Sequence, residues 1–122
     1  MAKAVRMTLA EAASKWLDAE ILGNLHDDTK VIKPAAGYSS CPDHTLKRDI
    51  MKMLSGKFDL GIRLTESCAM TPEASICGLI LMHPEARYPE IRRISQRQYE
   101  DYASRRGMDE KTARQFLGHI LK

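Results

Sequence analysis

The sequence predicts an α+β domain, a small antiparallel sheet flanked by helices. Three observations carry the prediction. Apolar residues recur at three- and four-residue spacing near both ends of the chain, the period drops to two in the middle, and helix-capping signatures stand at the boundaries. A length of 122 residues with 43% hydrophobic content suits one domain with a single core, taken as residues 1–122.

The first helix is expected over residues 8–22. Leu9, Ala13, Trp16, Leu17 and Ile21 fall on one helical face, Thr8 and Glu11 have capping-box spacing, and Gly23 stands at the end. Residues 24–34 are polar until Val31 and read as a loop. A second helix is expected to begin at Asp43, after Pro42, and to run to Ser55 with Leu46, Ile50, Met53 and Leu54 inward and Gly56 closing it.

Leu60, Ile62 and Leu64 then alternate with polar or small neighbours, as in a half-buried strand. Residues 75–82, "SICGLILM", are apolar on both faces and are expected inside a sheet. The loop "ESCAMTPEA" suits their antiparallel pairing with residues 60–64, and "YPEIRRI" is expected to add an edge strand, where Pro89 is tolerated. The chain ends in two helices. Ser95 and Gln98 form a second capping box, Gly107 follows an arginine-rich turn, and Asp109 caps a helix with Ala113, Phe116, Leu117, Ile120 and Leu121 on one face.

Net charge is +3, unevenly placed: residues 87–122 carry nine basic and five acidic side chains. Such a stripe fits a solvated helical face, an acidic partner or a phosphate backbone. Three cysteines without regular spacing indicate a reduced, cytoplasmic protein. The longest apolar run is too short to cross a bilayer.

Cys41 and His44 have ligand-like spacing. However, Cys68, Cys77, His83 and His26 are scattered without a second paired motif, which disfavours zinc. Cys41 just before a helix N-terminus could also be a stabilised thiolate, although no third orienting group is evident. Packing accounts for both residues better. The stretch "SQRQYEDYASRRGMDEKTARQFLG" has the outline of a helix-turn-helix with Arg105, Arg106 and Arg114 along it, but its acidic residues would repel phosphates.

The segment "KPAAGYSS" has a different logic. Pro34 fixes φ, Ala35 and Ala36 keep bulk low, and Gly37 permits close backbone approach. A polar ligand could lie against main-chain groups between the charge of Lys33 and the ring of Tyr38. Ordinary turn formation explains the same residues.

Three ordered blocks, "KPAAGYSSCPDHTLK", "LTESCAMTPEASICGLILMHPEARY" and "QYEDYASRRGM", resemble the activation domain of cobalamin-dependent methionine synthase. The helix "RMTLAEAASKWLD" resembles the family's upstream helix. The likeness is to the C-terminal part of that domain and implies a short, free-standing form. It also implies that the chain binds S-adenosylmethionine and supports reductive remethylation of the cobalamin carried by a methionine synthase chain, with no turnover by itself.

By position the resemblance implies ligand contacts at Glu11, Lys33, Ala35, Gly37 and Tyr88, with Tyr38 reaching toward the corrin. Lys33 stands where the family has an arginine, and an ammonium cannot grip a carboxylate bidentately. An alternative is an interaction module docking on a cobalamin protein without firm ligand binding. A nucleic-acid binder is a second alternative. An acidic flavodoxin is a further expected partner, and a homodimer burying residues 75–82 is an open expectation.

Overall fold

The structure, a computed structural model, describes residues 2–25, 28–57 and 59–122. His26, weighed above as a metal ligand, lies outside them. In chain order the elements are α1 (Ala2–Leu22), β1 (Lys30–Ile32), α2 (Leu46–Leu54), β2 (Arg63–Leu64), β3 (Met70–Thr71), β4 (Leu81–His83), α3 (Gln96–Arg105), α4 (Glu110–Leu117) and a 3-10 turn, Gly118–Ile120. The α+β class holds, with two two-stranded antiparallel sheets in place of one.

Helix α1 starts earlier than expected, and Thr8 lies inside it rather than at its cap. The preceding Ala, Lys, Arg and Met are strong helix formers, so propensity carries the helix past the capping signature. Its buried face also differs from the expected one. Leu9 and Trp16 are 55% and 64% exposed, whereas Ser14, Leu17, Asp18 and Ile21 are half-buried.

Strand pairing departs further from the sequence reading. Residues 60–64 do not pair with 75–82. A tight reversal forms inside the stretch read as a loop: Thr65 N–H donates to Ala69 O at 2.9 Å, Cys68 N–H donates to Thr65 O at 3.0 Å, and Cys68 adopts φ 62°. This turns β2 back on β3, with Arg63 opposite Thr71. Strand β4 pairs instead with β1, Lys30 opposite His83 and Ile32 opposite Leu81. Residues 76–82 are therefore not enclosed; Met82 is 56% exposed. The expected edge strand over 88–94 is reduced to a parallel bridge between Ile94 and Leu121.

The C-terminal helices form as the caps predict. Ser95 and Gln98 make a reciprocal capping box, and the Asp109 side chain accepts from Thr112 N–H. Tyr99, Ala103, Ala113, Leu117 and Ile120 close one core between α3 and α4.

That core is fixed to the middle of the chain by a buried carboxylate. Asp43, 3% exposed, accepts from Thr45 N–H, Thr45 Oγ1 and Tyr102 Oη, each at 2.8 Å. Its Asx turn uses the residues expected to begin the helix, so α2 starts at Leu46. Arg106 adds an ion pair to Asp49 at 2.6 Å and reaches Asp43 at 3.7 Å. Asp43→Ala leaves these donors without their acceptor and is expected to cost ~3 kcal/mol. Tyr102→Phe removes one bond and is expected to cost ~1–2 kcal/mol. Urea unfolding checks both, as lower midpoints at unchanged slope.

Candidate functional site

The β1–β4 register continues past the strand ends. Leu79 N–H donates to Pro34 O at 3.0 Å, in line with the pairing of Ile32 and Leu81. Alternation continues too: Ile32, Pro34 and Ala36 are buried, and Lys33 and Ala35 turn to the opposite face. Pro34 has no N–H to donate, which helps explain why the formal ladder stops at Ile32. In this register Ala35 lies opposite Gly78. A Cβ at Gly78 would stand 2.9 Å from Pro34 O, so only glycine lets the two segments approach this closely.

These paired segments form the floor of a groove of about 1050 Å³. Ala10, Glu11, Ser14 and Leu17 of α1 wall one side, and Tyr88 to Glu90 border another. A smaller hollow of about 410 Å³ continues past Met51, Leu54, Leu60 and Ile62. Of the six residues the resemblance implies, five line the main groove: Glu11, Lys33, Ala35, Tyr38 and Tyr88.

Lys33 is engaged on both its ends. Its N–H donates to Tyr88 Oη at 2.7 Å, which orients that ring. Its ammonium donates to Ser14 Oγ at 2.8 Å and pairs with Asp18 at 2.7 Å, tying α1 to the floor. Glu11 pairs with Lys15 at 3.2 Å. Tyr38, 70% exposed, stands at the rim.

Gly37 does not line the groove. Its N–H donates to Cys41 O at 2.8 Å, its φ is 100°, and a Cβ there would collide with the His44 imidazole. Its role in this geometry is support. His44 is in turn held by Lys47, whose buried ammonium lies 3.1 Å from His44 Nδ1 and donates to Cys68 O at 3.0 Å. The series "PDHTLK" thus closes one turn, buttresses Gly37 and satisfies the Cys68 carbonyl.

Burial, and then Asp43, push the Cys41 thiol up, which favours the thiol over a thiolate nucleophile. Among the described residues no three His, Cys, Asp or Glu side chains gather as a metal site, and no helix is long and apolar enough to span a membrane. Arg105, Arg106 and Arg114 are engaged by Asp101, Asp49 and Glu110.

A family model for the vitamin B12 dependent methionine synthase activation domain matches residues 1–107. The chain belongs to this family. A solved structure, the MetH reactivation domain bound to AdoHcy, matches it with a TM-score of 0.79 and 33% identity, over 92% of this chain and 39% of that one. This activation-domain chain therefore spans about two fifths of the length of that solved chain. The helices and small antiparallel sheets follow the same arrangement.

Residues that motif reasoning missed are Ser14, Asp18, Lys47, Gly78 and Tyr102. Gly78 had a signal, since a glycine inside an apolar run marks close backbone approach. The others depend on contacts distant in sequence.

Gly37→Ala in the activation domain is expected to cost more than Gly61→Ala, because both glycines have positive φ but only Gly37 faces a side chain. Gly61→Ala should cost ~1–2 kcal/mol of backbone strain, and His44→Ala in the Gly37→Ala background should recover the excess. A double-mutant cycle by chemical denaturation measures this.

Burial first, then Lys47, hold the His44 pKa below its ordinary 6.5. The unfolded chain then binds the extra proton more readily, so this contribution is present above pH 6.5 and is lost as pH falls through the folded pKa. Thermal melts between pH 7 and 5 should show falling stability, with a shallower slope in His44→Gln.

Proposed function

We propose that the groove binds S-adenosylmethionine and that the chain presents its methyl group for reductive remethylation of the cobalamin of a methionine synthase chain. The observation carrying this reading is the convergence of Glu11, Lys33, Ala35, Tyr38 and Tyr88 on one open groove. Its volume of about 1050 Å³ is ample for a nucleoside joined to an amino acid. The family match and the AdoHcy held by the 33%-identical neighbour support the same ligand class.

Ala35 and Gly78 leave a flat backbone floor on which the ligand rests. Glu11 supplies negative charge for its ammonium or sulfonium end, and Tyr88 is pre-oriented by the Lys33 N–H. Lys33 meets a carboxylate with one point charge already shared with Asp18, so the grip is weaker than a guanidinium fork would give. Tyr38 at the rim is placed for the corrin face. Cobalamin, carried by the partner, supplies the methyl-accepting cobalt, while this chain binds, orients and shields the donor.

The basic C-terminal region, nine basic against five acidic side chains over residues 87–122, suits an acidic electron donor of the flavodoxin kind. Self-association is a further part of the proposal. The engagement of the Lys33 ammonium by Asp18 and Ser14 favours one second reading, an adaptor that docks on the cobalamin protein without firm ligand binding.

Calorimetry with S-adenosylmethionine and S-adenosylhomocysteine separates the two readings. Ala35→Leu fills the floor from a half-buried position and should weaken binding at least about tenfold, while circular dichroism stays unchanged. Heat from wild type at millimolar ligand is expected. Its absence, with capture of the cobalamin partner intact, would replace the first reading with the adaptor.

A further inference from the structure

We propose that the outward face of α1 is a self-association surface that pairs with α1 of a second copy of this chain. Ala10, Ser14 and Leu17 face the groove. On the opposite side Val5, Leu9, Ala12, Trp16 and Ala19 recur at alternating four- and three-residue steps, the spacing of a coiled-coil seam. Val5, Leu9 and Trp16 are 53%, 55% and 64% exposed, and both alanines are exposed as well. A merely solvated helix face would carry charge along such a stripe, and this one carries the chain's single tryptophan.

Shape favours a second copy as the occupant, and the exposed area allows one. The chain exposes 9259 Å², against about 6,600 Å² for a compact monomer of 13.8 kDa. The excess, roughly 2,600 Å², is shared among the groove, residues 76–82 and α1, and leaves room for the ~800 Å² that each partner contributes to a standard interface. In an antiparallel pairing, alternate seam positions meet as layers. Trp16 of one copy lies against Val5 of the other, and Leu9 against Ala12, so a large side chain opposes a smaller one in each layer. The same patch serves both copies, as a two-fold interface requires. Lys15, beside the stripe, is paired with Glu11 within the helix at 3.2 Å.

The other exposed apolar stretch, residues 76–82, is a poorer seam. Ile76, Gly78 and Leu79 line the groove, so covering them would close it. Pairing through the back of α1 leaves the groove open in both copies.

Sedimentation equilibrium of the full chain should give twice the 13.8 kDa chain mass at micromolar concentration. Trp16→Glu and, separately, Leu9→Lys should raise the dimer dissociation constant at least about a hundredfold, with unchanged circular dichroism. Met82→Glu should leave it within about threefold. As the only tryptophan, Trp16 should show blue-shifted emission in the dimer that moves red on dilution. A monomer at all concentrations, or a dimer lost with Met82→Glu and kept with Trp16→Glu, overturns the proposal. Ligand calorimetry on the Trp16→Glu monomer keeps the two proposals separable, since self-association predicts no loss of heat there.

Discussion

A carboxylate buried to 3% exposure, Asp43, is the constraint on which the arrangement depends. Moving such a group out of water costs several kcal/mol unless donors surround it. Two of its donors come from Thr45, at the start of α2, and the third is Tyr102 of α3, 59 residues away. The folding of the loop, the placement of α2 and the docking of the C-terminal helices are therefore one energetic event. Burial, reinforced by the Asp43 hydrogen bond, pushes the Tyr102 hydroxyl well above its ordinary range, which keeps it protonated and able to donate at neutral pH.

From Asp43 the order passes to the groove floor in short steps. Cys41, two residues earlier, accepts the Gly37 N–H, and His44, one residue later, fills the space beneath Gly37. Lys47 locks His44 from below and ties it to the Cys68 carbonyl, whose residue adopts a left-handed backbone. Cys41, His44 and Lys47, close by in the chain, and Cys68, distant from them, thus hold a stretch with little bulk of its own. Small residues can form a floor here because the support lies under them, in charged and aromatic side chains that never face the groove.

Local chemistry made much of this legible in the sequence. The caps at Ser95 and Asp109 rest on contacts within three residues, and they and the α3–α4 core appear as expected. What was not legible depends on distant partners. Residues 75–82 look like an enclosed strand by composition, yet β4 pairs with β1 because the reversal at Cys68 has already satisfied β2. Trp16 and Leu9 look buried by periodicity, yet α1 is oriented by Ser14 and Asp18 gripping Lys33, which turns the apolar stripe outward. For the site, five residues implied by resemblance share the groove, and the sixth, Gly37, supports it from below.

The lysine at position 33 links these features. An ammonium has three donors, and here one meets Asp18 while Ser14 offers both its hydroxyl and its carbonyl. A guanidinium at the same place would keep donors to spare; the ammonium is nearly saturated by α1. The cation thus takes on a structural duty as well as facing the groove, and any carboxylate that approaches it must share it with Asp18. In the proposed site, a ligand carboxylate at Lys33 would couple binding to the seating of α1 through one ammonium. The same helix carries the exposed seam on its other side, so the contact that closes the groove wall also fixes the direction in which that seam points.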